Sequence, residues 1–206
     1  MKALMFSGGL DSMVLFHDLL SQGESFQCVF INYGQKNAEE EFNAVDKMCS
    51  AYGIKLLFLY QPTLFQCSYS TLLKGNNGEH TVASDEIQNR NATLACVAAA
   101  NLFTDQTITL LFGAHKTGAA YQDATPMFYT RLSKLLFYST NGHIDCEAPY
   151  IRLTKKQIVK KAWDLAISPT VINTSVSCYE GTNCGKCPAC KARRQALLGS
   201  QFETIL

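Results

Sequence analysis

The stretch Ser7-Gly8-Gly9-Leu10-Asp11-Ser12 gathers two hydroxyls, a carboxylate and a glycine pair in six residues. Such a stretch suits an anion. The glycines let the backbone come close, its N–H groups donate, and Ser7 and Ser12 add hydroxyl donors. No Gly-Lys-Ser/Thr follows, so the spacing is not that of a Walker loop. A third glycine is also missing, which excludes the dinucleotide fingerprint. The plain alternative is a tight turn N-capped by Asp11 or Ser12. A second cluster, Cys178, Cys184, Cys187 and Cys190, puts four thiols within thirteen residues, with Gly181, Gly185 and Pro188 supplying turns. This spacing points to a tetrahedral zinc site, and a closed four-thiolate shell is structural because it keeps no open position. An iron–sulfur cluster is the rival; redox-active pairs are a further alternative. Lys186, Lys191, Arg193 and Arg194 flank the cluster and leave a nucleic-acid-binding ribbon conceivable. Only Tyr179 stands ready for base stacking, so direct nucleic-acid binding is not expected.

The elements that must hold these groups read as alternating strands and helices. Residues 3–6 form a short apolar run before the glycine turn, and Val14, Leu15, Leu19 and Leu20 line one face of a helix after it. Its N-terminus adds roughly half a positive charge to the turn. Residues 26–32 read as a buried strand and 37–52 as a helix with Glu39, Glu40 and Glu41 in its first turn. Residues 54–60 read as a third strand. Further helices are expected from Asn91 to about Phe103, over 125–138 and from Thr154 to about Ala166, where Ser168-Pro169 ends the last. A fourth strand is expected over 107–112 and an extended stretch over 146–151. This alternation predicts an α/β fold with a doubly wound, mostly parallel, Rossmann-like sheet. The expected domains are 1–167 and a cysteine-rich tail, 168–206. Residues 62–90 are polar, carry Gly75 and Gly78, and are too long for an ordinary connection; a mobile lid over the substrate is expected there.

The 206 residues are 47% hydrophobic and 17% charged, as in a globular protein. The apolar runs are too short to span a membrane, and no signal peptide is apparent. Cys28, Cys49, Cys67, Cys96 and Cys146 lie scattered, which suits free thiols in a reducing compartment, hence the cytoplasm. Residues 1–149 hold 9 basic and 14 acidic side chains; residues 150–206 hold 9 and 3. The basic C-terminal quarter suits a polyanion such as a triphosphate. Lys155 is notable within it. Thr154 and Gln157 match a capping box, yet a lysine in a first helical turn opposes the helix dipole, and a bound phosphate would reverse that sign.

The hexapeptide resembles the phosphate loop of the N-type ATP pyrophosphatases. Together with the four-cysteine knot it resembles the 7-cyano-7-deazaguanine synthase family, whose fold is of the adenine nucleotide alpha-hydrolase type. Tyr33-Gly34-Gln35, Arg90-Asn91, Gly113-Ala114-His115 with Tyr121 and Asp123, and Lys155 match further family motifs. The chain departs at Gln88-Asn89, where the family has Pro-Gly, and at Gly118, where it has aspartate. Tyr121-Gln122-Asp123-Ala124 replaces Tyr-Pro-Asp-Cys. The first cysteine spacing and the chain itself are shorter than usual.

The resemblance implies an ATP-dependent carbon–nitrogen ligase. A deazaguanine carboxylate is joined to AMP and pyrophosphate leaves. Ammonia then gives an amide, and a second ATP drives its conversion to the nitrile. Ser7, Asp11, Ser12 and Lys155 are the implied catalytic residues. Ser7, Gly8, Gly9, Leu10, Asp11, Ser12, Tyr33 and Gln35 are the implied ATP contacts, with Mg²⁺ reached by Asp11. Arg90, Asn91, His115, Tyr121 and Asp123 are the implied substrate contacts. Arg90 suits a carboxylate or phosphate, and Asp123 the pyrimidine-like edge of a purine analogue. His17, His80 and His143 read as structural. A homodimer is the implied assembly. Alternatives are a paralogue that conjugates the acid to a protein amine in antiphage defence, a tRNA thiolase, and a non-catalytic zinc-knot binding protein.

Overall fold

A computed structural model describes residues 1–102, 105–116 and 121–205. Five strands form one sheet in the order β3-β2-β1-β4-β5, and every pairing is parallel. They are β1 (Lys2–Met5), β2 (Phe26–Asn32), β3 (Leu56–Tyr60), β4 (Ile108–Phe112) and β5 (Ile144–Glu147). Helices α1 (Leu10–Ser21) and α2 (Ala38–Tyr52) follow β1 and β2. Between β3 and β4 lie α3 (Val82–Asp85) and α4 (Arg90–Asn101). The remaining helices are α5 (Pro126–Ser139), α6 (Lys155–Asp164), α7 (Pro169–Thr174) and α8 (Pro188–Leu197).

Alternation along the buried strands divides the core into two layers. Leu4, Phe6, Cys28 and Phe30 face a cluster built with α1, α2, α6 and α8. Ala3, Val29, Ile31, Leu110 and Phe112 face a second cluster built with α4 and α5. The sheet is therefore covered on both sides, as doubly wound folds are. Ile172, Ala196, Leu197 and Phe202 belong to the same cluster as α1, so the segment after residue 167 packs into the core of what precedes it.

Several local expectations shift. Gly9, without a side-chain bond, is the N-cap of α1, in place of Asp11 or Ser12. Asn89 is the N-cap of α4, two residues before the expected Asn91. The expected end of that helix, Phe103, lies outside the described residues, as does Gly118. Ser168-Pro169 does follow α6, but Ser168 also caps α7, accepting from Val171 N–H at 3.3 Å with Pro169 in the first turn. Residues 62–90 contain α3, whose Thr81 forms a capping box with Ser84. Backbone bonds Lys36 N–H to Leu72 O (2.9 Å) and Lys74 N–H to Gly34 O (2.9 Å) tie this segment to the loop after β2.

Candidate functional site

The sheet order reverses direction between β1 and β4, and ligands of such sheets sit in the crevice at the strand ends there. The Ser7–Ser12 turn occupies that position after β1. Gly8 adopts φ +71°, and a Cβ on it would stand 2.8 Å from the backbone oxygen of Glu41, so only glycine fits against α2. Ser7 and Ser12 face one another with hydroxyl oxygens 3.1 Å apart. Ser12 Oγ donates to Gly9 O at 3.0 Å, and Gly9 N–H donates to Ser7 Oγ at 3.4 Å. Leu10 turns its side chain into the core, leaving its backbone for a ligand. From β4, Gly113 lets its loop touch the start of α1: a Cβ there would lie 3.0 Å from Ser12 N.

Two titratable groups converge on Asp11 of this turn from distant segments. Lys155 Nζ donates to Asp11 Oδ2 at 2.7 Å, and His115 Nε2 lies 3.5 Å from the same oxygen. All three side chains are about 15% exposed. Thr154 caps α6 with the expected box, its N–H donating to Gln157 Oε1 at 2.8 Å and its hydroxyl accepting from Gln157 N–H at 3.3 Å. The cap fixes the first turn of α6, where Lys155 sits. Lys116 N–H donates to Leu153 O at 2.8 Å and so brings the His115 loop alongside. Burial lowers the His115 pKa; Asp11 opposes this and Lys155 adds to it, which leaves the imidazole neutral. Asp11 Oδ1 is buried and has no hydrogen-bond partner among the described residues. A carboxylate oxygen left so is suited to a cation or an ordered water.

A second cluster gathers around the loop after β2, next to the turn through Glu41. Gln35 is buried and its amide is consumed in shaping the loop. Its Oε1 accepts from Tyr33 N–H at 2.9 Å, and its Nε2 donates to Ile31 O at 3.3 Å and Glu41 Oε2 at 2.9 Å. Asn37 Nδ2 donates to Glu41 Oε1 at 3.0 Å and to Cys178 O at 3.0 Å. Burial pushes the Glu41 carboxyl up to about 7, against its bonds to Gln35 and Asn37 and the nearby Arg90 charge. Arg90 lies in the field of Tyr33, Asp123 and Tyr179, which support its charge against burial. Burial raises the phenol pKa of Tyr33, Tyr121 and Tyr179, so these rings stay neutral. Asn91 is spent on Asp123: its N–H donates to Asp123 Oδ2 at 2.9 Å and its Nδ2 to Asp123 O at 2.8 Å. His80, read as structural, joins its Nδ1 to Asp85 Oδ1 (2.6 Å) and its Nε2 to Glu180 Oε1 (2.7 Å). It thereby links residues 62–90 to the cysteine-rich tail.

The four sulfurs of Cys178, Cys184, Cys187 and Cys190 lie within 4.8 Å of one another. Tetrahedral ligation at about 2.3 Å needs sulfurs about 3.8 Å apart, and Cys184 Sγ stands 4.0 Å from Cys190 Sγ. Backbone N–H groups support the thiolates: Lys186 and Cys187 donate to Cys184 Sγ at 3.5 and 3.4 Å, Cys184 to Cys178 Sγ at 3.4 Å, and Cys190 to Cys187 Sγ at 3.4 Å. The Cys187 and Lys186 N–H groups draw the Cys184 thiol down to about 6. Cys187 is also the N-cap of α8, with Pro188 after it. The set can bind a metal such as zinc.

The sequence profile of the family described as "Queuosine biosynthesis protein QueC" matches residues 2–201. This chain belongs to the QueC family. Its relatives include proteins named 7-cyano-7-deazaguanine synthase. That of Desulfotalea psychrophila is 27% identical, over 94% of this chain and 92% of its own length. That of Methanoregula boonei is 30% identical, over 95% and 94%. The protein of Desulfitobacterium hafniense named 7-cyano-7-deazaguanine synthase 1 is 32% identical, over 94% and 90%. Among the described residues, no helix is long and apolar enough to cross a membrane.

The structure brings together Ser7, Gly8, Gly9, Asp11, Ser12, His115 and Lys155 in one cluster. Tyr33, Arg90, Asn91, Tyr121 and Asp123 gather in another. Three residues that the sequence reading leaves out of the site shape them. Glu41 is one of three adjacent glutamates, and only tertiary packing singles it out. Gly113 was visible as a strand end and in the motif Gly113-Ala114-His115, but not as a contact of α1. Asn37 was visible only as a helix start.

Proposed function

We propose that this chain is an ATP-dependent 7-cyano-7-deazaguanine synthase. The observation that carries the reading is the family match from residue 2 to 201, in a chain whose Lys155 and phosphate-type turn meet at Asp11. The turn holds the phosphates of ATP through Ser7, Ser12 and the backbone of Gly8, Gly9 and Leu10. Asp11, through Oδ1, is the residue that would hold Mg²⁺, which neutralises phosphate charge when bound. Lys155 moves from Asp11 toward the α-phosphate as charge builds there. Arg90 receives the carboxylate of the acid, and Tyr121 and Asp123 border its ring. His115, held neutral, can accept a proton from the attacking ammonia.

The acid's oxygen attacks the α-phosphorus and pyrophosphate leaves. Nitrogen then attacks the acyl carbon and AMP leaves with the electron pair of the C–O bond. The amide oxygen then attacks the α-phosphorus of a second ATP and pyrophosphate leaves; AMP departs with the C–O electron pair as the nitrogen gives up its two protons and the nitrile forms. Residues 62–90 act as the cover over the acid, and 168–206 as a metal-stabilised tail on the 1–167 domain. The cysteines hold zinc, and the protein works in the cytoplasm. Conjugation to a protein amine gains nothing from the relatives described above, all of which carry the synthase name.

The test is incubation with ATP, Mg²⁺, ammonium and 7-carboxy-7-deazaguanine, with products read by mass spectrometry. AMP, pyrophosphate and the nitrile are expected. Absence of both AMP and nitrile rejects the reading.

A further inference from the structure

Arg193 lies on α8, three residues after the metal-ligand candidate Cys190. Its guanidinium reaches residues 172–177, just before the first cysteine of the cluster. Nη1 donates to Ser175 Oγ at 2.6 Å, Ser175 O at 3.3 Å and Ser177 Oγ at 3.3 Å, and Nη2 donates to Ile172 O at 2.8 Å. All of these acceptors are neutral. Burial works against the charge, and Cys190 and Asp11 support it, so the cation sits where it feels the carboxylate of the phosphate turn.

The segment it grips is a strap across the back of that turn. Val176 N–H donates to Gly8 O at 2.9 Å, and a Cβ on Gly9 would lie 3.5 Å from Val176 O. The strap ends at Cys178, whose carbonyl is held by Asn37. It is thus fixed at its end by a thiol of the knot, and along its length by a side chain from the helix that carries Cys187 and Cys190. A peptide bonded to the backbone of a glycine turn limits how far that turn can relax, and an anion cradle depends on its N–H groups staying aimed.

We propose that Arg193 is a positioning residue that couples the four-cysteine knot to the phosphate turn, holding 172–178 so that Gly8 and Gly9 keep a phosphate-binding geometry. The inference rests on the nucleotide reading of the turn. A lysine would not replace Arg193 fully. Its single nitrogen cannot reach Ile172 O and Ser177 Oγ together, whereas the guanidinium fork spans them.

The experiment compares wild type, R193Q and R193K by metal content per chain, calorimetric ATP affinity without acid, and the KM values for ATP and for the acid. R193Q is expected to keep its metal, to bind ATP about tenfold more weakly, and to leave the KM of the acid unchanged, with R193K between the two. Removing the metal from wild type with a chelator is expected to weaken ATP binding by a similar factor. Should R193Q fail to fold, the S175A/S177A double variant removes the two hydroxyl acceptors and is expected to weaken ATP binding about threefold. ATP affinity equal to wild type in a folded variant overturns the proposal, as does an equal rise in both KM values, which marks general loosening. If wild type itself binds no ATP, the nucleotide reading fails, and this inference with it.

Discussion

Replacing Lys155 by methionine leaves the Asp11 carboxylate without its closest counter-charge. The pair is 2.7 Å apart and about 15% exposed on each side. At an effective dielectric near 20, Coulomb's law gives a gross attraction of about 6 kcal/mol at that distance. Desolvating the two charges takes back most of this, but breaking one side of a buried pair costs about 3 kcal/mol, because the other charge stays behind unpaired. K155M is therefore expected to lose about 3 kcal/mol of unfolding free energy in urea without nucleotide. D11N should lose somewhat less, because an amide still accepts from Lys155. The K155M/D11N double variant should be more stable than the two losses added together, with a coupling of about 2 kcal/mol. Raising salt should change these values little, since the pair is mostly shielded from water. A coupling below about 0.5 kcal/mol would refute the idea that Asp11 and Lys155 form one unit at rest.

The cysteine set should retain about one zinc per chain by elemental analysis, and C190S should lose the metal and expose 178–205 to protease. Retained metal in C190S, or iron in place of zinc, would contradict a closed zinc shell. G8A should lose about 2 kcal/mol of stability in denaturant, since alanine at φ +71° is strained and its Cβ would meet Glu41 O; unchanged stability would count against the close packing of the turn on α2. Glu41 has a folded-state pKa raised from 4.5 to about 7, so the protonated form is favoured on folding. Its contribution is fully present below about pH 4.5 and is lost as pH rises through 7. Relative to E41Q, wild type should lose about 3 kcal/mol across that window in pH-dependent denaturation. Parallel pH curves for the two proteins would place the Glu41 carboxyl in water.

The layers of the fold were legible because the strands are apolar runs of the right length and the helices carry apolar faces, although the caps of α1 and α4 are not the residues expected. Thr154 and Gln157 form the predicted box, and α2 follows Asn37 and ends at Gly53. The tail was not legible as helix. In α8 the cap is a cysteine sulfur and the first turn is Pro188, so metal-ligand spacing replaces the usual signals. α7 is short, and its apolar residues are too few to set a period. At the site, Lys155 stood out because its charge has the wrong sign for a first turn. Its partner could not be read, since Asp11 lies 144 residues away. Gln35 was expected to contact ATP; its amide bonds Tyr33, Ile31 and, on α2, Glu41. That distinction depends on Glu41 and Ile31, which only packing brings near.

Phe202 is fully buried, packs edge-on against Trp163 with ring centroids 6.0 Å apart, and joins the cluster that includes Phe6 and Phe16. During synthesis, the apolar face presented by β1 and α1 must wait nearly two hundred residues for this partner. Closure across so long a loop is slow, and the half-made chain carries sticky surface meanwhile. A ribosome that stalls before residue 196 would release a chain whose α1 layer lacks Ala196, Leu197 and Phe202, leaving that side of the core open, and which cellular quality control should clear.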